Sequence, residues 1–209
     1  MFVALILLTL VVAVADWWAA ATERTLAERV LKPLTMVVLI GATLVLPDAS
    51  SSTAQRLIVL GLVWSLAGDV CLLFPDRLFL SGLVAFLLAH IAYTFAMLQL
   101  GTEPPLLMVG TVLVLICAAL VGSKVLRGAQ ETDEKMVGPV IAYLAVISFM
   151  VVTAVGTGNP WAIGGALLFY ASDGCIGWNR FVRPLPHRSL VVMSTYHLGQ
   201  IGIVLSLLP

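Results

Sequence analysis

Residues 160–178 read PWAIGGALLFYASDGCIGW, a run apolar enough to lie in a bilayer with a single aspartate, Asp173, set inside it. A spanning helix needs about 20 predominantly apolar residues. Placing Asp at the centre of such a helix costs ~2.5–3.5 kcal/mol on insertion scales, so an intramembrane carboxylate marks a functional site by default. A second stretch, Ser65-Leu66-Ala67-Gly68-Asp69-Val70-Cys71, lies about half the chain earlier and shares the order Ala, small residue, Asp, any residue, Cys. The two segments are expected to face each other across one pocket.

The rest of the chain has the same character. Its 209 residues are 61% hydrophobic and 11% charged, too little polar surface to cover a soluble globule, which predicts an all-α, polytopic membrane protein. Eight transmembrane helices are drawn at about 2–20, 33–46, 54–74, 78–100, 105–122, 136–156, 160–178 and 189–208. Pro33, Pro105, Pro139 and Pro160 stand near helix starts, where a missing N–H costs little. The second segment is short, so it should begin earlier or tilt against its neighbours. The first lacks a basic leader and a cleavage site and ends in Asp16-Trp17-Trp18, as a retained helix does. Connections are short. Residues 1–209 therefore form a single integral membrane domain, whose chemistry must lie in the bilayer or at its surface.

Charge excludes other classes. The formal net charge is zero and no basic face is clustered, so no nucleic-acid partner is expected. Cys71, Cys117 and Cys175 lie in apolar runs and imply no disulfide framework. Arg24, Arg29, Lys32, Arg77, Lys124, Arg127, Lys135, Arg180, Arg183 and Arg188 fall in odd-numbered loops and only Arg56 in an even one. The positive-inside rule then puts the odd loops in the cytoplasm and both termini outside it, in a cell's inner (plasma) membrane. Pro33 and Pro139, Asp69 and Asp173, and His90 and His197 are each about half the chain apart. That spacing fits two parallel four-helix repeats related by an axis along the membrane normal.

Helical periodicity groups further polar residues. Gly61, Ser65 and Gly68 form a small-residue stripe beside Asp69; Ala166, Tyr170, Asp173 and Gly177 form another. Phe86, His90 and Tyr93 share a face of the fourth helix, and Met193, Tyr196, His197 and Gln200 one of the eighth. Lys32 reads as a snorkelling residue, or else as an anion contact or a partner for one of the carboxylates. Trp17, Trp18, Trp64, Trp161 and Trp178 read as interfacial-belt residues. Two Asp and two His on four separate helices, with no His-x-x-x-His or Cys-x-x-Cys pair, make a weak metal signal. No metal or cofactor is expected.

These residues resemble the YhhN family of multi-spanning membrane proteins, which includes the lysoplasmalogenases. The likeness rests on Lys32-Pro33, Gly68-Asp69, Phe79-x-x-Gly82-x-x-x-Phe86-x-x-x-His90-x-x-Tyr93, Tyr170-x-Ser172-Asp173 followed by Asn179-x-Phe181, and Tyr196-x-x-x-Gln200. His197 stands where the family pattern more often has an aromatic residue. The resemblance implies an eight-helix hydrolase, without a dissociable cofactor, that cleaves the vinyl ether bond of lysoplasmalogens to a fatty aldehyde and a glycerophospho-choline or -ethanolamine. It makes Asp69 and Asp173 the expected catalytic pair, with Lys32, His90, Tyr93, Tyr170, Ser172, Asn179, Tyr196 and Gln200 in support.

The chemistry agrees with two carboxyls. A vinyl ether hydrolyses by protonation of the carbon remote from oxygen, and water traps the resulting oxocarbenium ion. One acid and one anion are needed, and two close carboxyls in a low-dielectric site can share one proton near neutral pH. The lysophospholipid would come sideways from the cytoplasmic leaflet, its headgroup near Lys32 and Arg180. A proton-coupled carrier of lipid or small molecules is the competing class, since paired intramembrane Asp and His residues suit it too. A lipid-binding protein without turnover is a third. Oligomeric state is not legible in the sequence.

Overall fold

The computed structural model describes residues 1–47 and 49–209, with the backbone alone at 75 and 76. Its elements are α1 (Phe2–Ala21), α2 (Thr25–Leu44), α3 (Ser52–Leu72), α4 (Pro75–Gln99), α5 (Pro104–Cys117), α6 (Ser123–Thr132), α7 (Val137–Gly156), α8 (Pro160–Phe181) and α9 (Arg188–Leu205). A π turn, Ala118–Gly122, joins α5 to α6 without a break, so these two and the turn form one long rod. No strand occurs among the described residues.

Local chemistry sets the helix starts. Ser51 caps α3 by accepting from the Ala54 N–H at 3.2 Å. Asn159 caps α8 through Oδ1, which accepts from the Trp161 and Ala162 N–H groups, and Pro160 follows at the first helical position. The second helix does begin earlier than the drawn start at residue 33, as its shortness suggested, and Pro33 is not near its start. It starts at Thr25, a full two turns before Pro33, and carries that proline inside. The short apolar segment is thus the second half of a 20-residue helix, and Lys32 belongs to its wall.

Five spans are long and apolar enough to cross a membrane: Phe2–Ala21, Ser52–Leu72, Arg77–Gln99, Pro104–Thr132 and Glu134–Gly156. The remaining long helices, α2, α8 and α9, are less apolar because they carry Lys32, Asp173, and Tyr196, His197 and Gln200. The outer faces are apolar, with Leu7, Val11 and Val14 of α1 and Met108, Val112 and Leu115 of α5 exposed, while Asp16, Asp69, His90, His197 and Gln200 are buried. A bundle with apolar residues outside and charges inside suits lipid as solvent.

Close approach of glycines brings the site helices together. A Cβ on Gly165 of α8 would lie 2.6 Å from the Ile203 nitrogen, and one on Gly199 of α9 2.9 Å from the Phe169 nitrogen. Only glycine lets two backbones meet so closely. Gly68 of α3 receives the Phe86 ring of α4 in the same way, a Cβ there falling 2.6 Å from the ring. The predicted small-residue stripe is therefore the seat of α4's aromatic face. The successive hairpins α1–α2, α3–α4, α5–α7 and α8–α9 hold the closest helix pairs, and α4 on α7 with α1 on α9 join them.

Candidate active site

Three helices converge on Asp173. Its Oδ2 lies 3.1 Å from Nε2 of His90 on α4 and accepts a hydrogen bond from the hydroxyl of Tyr143 on α7. The same His90 nitrogen is 3.0 Å from that hydroxyl. One imidazole, one phenol and one carboxyl thus share a single point, which gives a proton several adjacent resting places. The His90 ring packs edge-on against Phe169 at 4.7 Å between centroids, which fixes its orientation.

Asp173 also lines a pocket between α4, α5 with its π turn, α7 and α8. Its wall includes Phe79, Leu83, Leu144, Ile147 and Ile176, and among the described residues Asp173 is the one charged side chain on it. Tyr170 lines it as well, its hydroxyl 3.4 Å from Ser148 Oγ. The π turn supplies Val121 and Gly122; such bulges in α-helices are frequent at functional sites. At the pocket's Lys- and Arg-rich end stand Val125, Gly177 and Phe181, with the Arg180 guanidinium 4.5 Å from the Phe79 ring centre.

Asp69 has other company. It is 1% exposed, with Lys32 Nζ 3.2 Å from Oδ1 and the Tyr196 hydroxyl donating to Oδ2 at 2.7 Å. Behind Tyr196, the Tyr93 hydroxyl donates to Gln200 Oε1 at 2.7 Å and lies 3.3 Å from Ser65 Oγ. Asp69 does not line the pocket. Phe169 stands between the two groups, touching His90 on one side and Tyr196, 5.3 Å away, on the other, with Phe86 against both Phe169 and Tyr196.

The sequence profile of the YhhN family matches residues 27–207. This chain belongs to the YhhN family. Among its relatives, lysoplasmalogenase TMEM86B of Homo sapiens is 35% identical over 191 residues, covering 91% of this chain and 80% of that protein. The Sus scrofa protein of the same name is 37% identical over 178 residues, covering 84% and 72%. A Mycobacterium bovis protein named lysoplasmalogenase is 36% identical over 134 residues, 61% of this chain and 51% of its own. No solved structure matches at a significant level.

Of the residues that carry the likeness to the YhhN family, the fold brings together two sets: Asp173 and Tyr170 at the pocket with His90 bonded to Asp173, and Lys32, Asp69, Tyr196, Gln200 and Tyr93 behind it. Two expectations change. The carboxylates do not face each other across one pocket, because the Phe86, Phe169 and Tyr196 rings lie between. Lys32 does not snorkel; with its helix begun at Thr25 it turns inward, is 6% exposed and pairs with Asp69. Ser172 and Asn179 are engaged elsewhere, the first donating to the Val192 carbonyl of α9 and the second accepting from the Leu185 N–H of the following loop.

Two buried polar residues escaped the sequence reading. Tyr143 completes the Asp173 set, and its signal was that the chain's four tyrosines all lie in apolar helices. Asp16 is fully buried in α1, and the criterion that marked Asp69 and Asp173, a carboxyl inside an apolar run, applied to it equally. Trp17, assigned to the belt, donates through Nε1 to His197 Nδ1 at 3.2 Å. Among the described residues no three His, Cys, Asp or Glu side chains converge where a metal ion could sit.

Proposed function

We propose that this chain is a membrane-embedded hydrolase that cleaves the vinyl ether bond of lysoplasmalogen to a fatty aldehyde and a glycerophospho-base. The observation that carries the reading is Asp173, a lone carboxyl bonded to His90 and Tyr143 at the wall of an otherwise apolar pocket. An alkenyl chain fits such a wall, and the one charged group stands where a reacting bond would need it. The names of the YhhN relatives in mammals and mycobacteria support the same substrate class.

In the proposed reaction, the protonated Asp173 carboxyl gives its proton to the vinyl carbon remote from oxygen, and the C=C electron pair forms the new C–H bond. The oxocarbenium ion lies against the carboxylate just made. Water adds to the carbon next to oxygen and loses a proton to Asp173, which restores the acid. The hemiacetal then passes its hydroxyl proton to the glycerol oxygen, the C–O bond breaks, and aldehyde and alcohol leave. His90 and Tyr143 hold the carboxyl in place and share its proton. Asp69 is a positioning residue: its charge, fixed by Lys32 and Tyr196, favours the cation from behind the Phe169 wall.

The lipid would reach the pocket sideways past the π turn, because α5 and α6 form the rod most exposed to the surroundings. Its phosphate would meet Arg180, since Lys32 is occupied by Asp69. We take all eight long helices as spanning, with both termini extracytoplasmic and the pocket toward the cytoplasmic leaflet. A reporter fused after Pro209 should then read as extracytoplasmic. Purified protein in detergent, given lysoplasmalogen, should release aldehyde. A carrier would need a sealed vesicle and leave the ether intact, and a lipid-binding protein would retain the lipid unchanged, so absence of aldehyde would end the hydrolase reading.

A further inference from the structure

A second polar cluster lies away from the pocket, where α1, α2, α3 and α9 meet. Asp16 of α1 is 0% exposed, and neither of its oxygens accepts a hydrogen bond from any described residue. The nearby His197 Nδ1 is 3.9 Å from Asp16 Oδ2, but it already accepts from the Trp17 indole N–H. An indole nitrogen only donates, so that imidazole nitrogen carries no proton and the ring is neutral. Among the described residues the one buried cation is Lys32, which pairs with Asp69. The charges acting on Asp16 are Glu28 and Lys32 of α2 and Asp69 of α3; those acting on Asp69 are Lys32 and, from α8, Asp173, with the Tyr196 hydroxyl bonded to it. Glu28 is partly buried at the Lys- and Arg-rich end, where Ser189 Oγ donates to it at 2.8 Å.

We propose that Asp16, Lys32 and Asp69, closed off by His197, form a buried proton-binding chamber in which the two carboxyls are balanced by one lysine, paired with Asp69, and one exchangeable proton. An ionised carboxylate in such a place would need donors or a paired cation to offset its desolvation. Asp16 has no donor. The proton therefore rests on Asp16 while Lys32 holds Asp69 ionised, and the chamber as a whole is neutral. Glu28 marks the side from which a proton would come and go.

Neutrality makes a counting prediction for infrared spectroscopy of the purified protein, read from the carbonyl bands of protonated carboxyl groups. Compared with wild type at neutral pH, Asp16→Asn should lose one band and keep its fold, because the amide replaces a neutral acid of the same shape. Lys32→Met should gain one, as Asp69 takes up the proton that replaces the lost cation. No loss in Asp16→Asn would show Asp16 to be ionised and overturn the chamber. Should Asp16→Asn not insert, an unchanged band count in Lys32→Met would overturn it equally. A further arm rests on the hydrolase reading. Loss of the proton from Asp16 as pH rises adds a buried charge that acts through Asp69 on Asp173. The wild-type pH–rate profile should contain that step and the Asp16→Asn profile should lack it, whereas a merely structural Asp16 would lower the rate by one factor at every pH. Wild type that releases no aldehyde would end the hydrolase reading and leave the infrared count standing as its own test.

Discussion

Asp69 and Asp173 sit in the same local pattern on α3 and α8, yet one is locked and the other is available. Asp69 has its cation, Lys32, and a phenol, Tyr196, and is sealed behind aromatic rings. Asp173, among the described residues, pairs with no lysine or arginine; its partners are His90 and Tyr143, and it faces a pocket. A carboxylate held by a buried ammonium is a fixed charge; one held by imidazole and phenol is a proton carrier. Two carboxyls in one membrane domain can thus hold separate roles through their neighbours alone.

Removing the titratable proton of each carboxyl in turn separates the two roles most strongly. Asp173→Asn keeps volume and shape and should lower turnover by ~10²–10⁴-fold, the usual scale of general acid–base catalysis. Asp69→Asn should cost about 10–100-fold, the value of a hydrogen bond to a buried charge. Turnover of both variants, measured on protein shown to be inserted and monodisperse, decides the matter. Equal losses, with the double variant no worse than either single one, would mean that the two act as a unit after all.

Next in size are the partners of Asp173. His90→Gln and Tyr143→Phe should each lower kcat by roughly 10–100-fold while KM stays within a few-fold, since they touch the carboxyl and not the lipid chain. A change confined to KM would move them from the acid to the pocket wall. Leu144→Trp tests that wall directly. It should raise KM about 10-fold or more by filling space meant for an apolar chain, with kcat for bound substrate little altered. An unchanged KM would mean that the chain lies elsewhere.

The smallest effect is expected at Ser172, a neighbour of Asp173 in the chain whose hydroxyl bonds to α9 instead of to the Asp173 carboxyl. Ser172→Ala removes its bond to the Val192 carbonyl and should lower stability by ~1 kcal/mol with turnover within about twofold. Thermal unfolding and aldehyde release on the same preparation separate the two. A large loss of turnover at unchanged stability would put Ser172 in the site.

Much of this molecule could be read from the chain by itself. Apolar helices long enough to span, most of their ends to within a residue or two, the inward faces of α4 and α9, and the placing of Asp69 and Asp173 inside apolar helices all follow from properties local to a helix. These are apolar length, a 3.6-residue period and the cost of a charge in lipid. What remained hidden concerns partners far apart in sequence. That Lys32 belongs to Asp69 depends on where α2 begins and how it rolls against α3. That Tyr143 meets Asp173 depends on α7 packing against α4 and α8. Asp16 looked like a helix end until α9 set His197 beside it. Depth and face along one helix are written in its own residues, but which carboxyl is sealed and which opens on a pocket depends on where neighbouring helices put their rings, lysines and glycines, and only the packed bundle settles that.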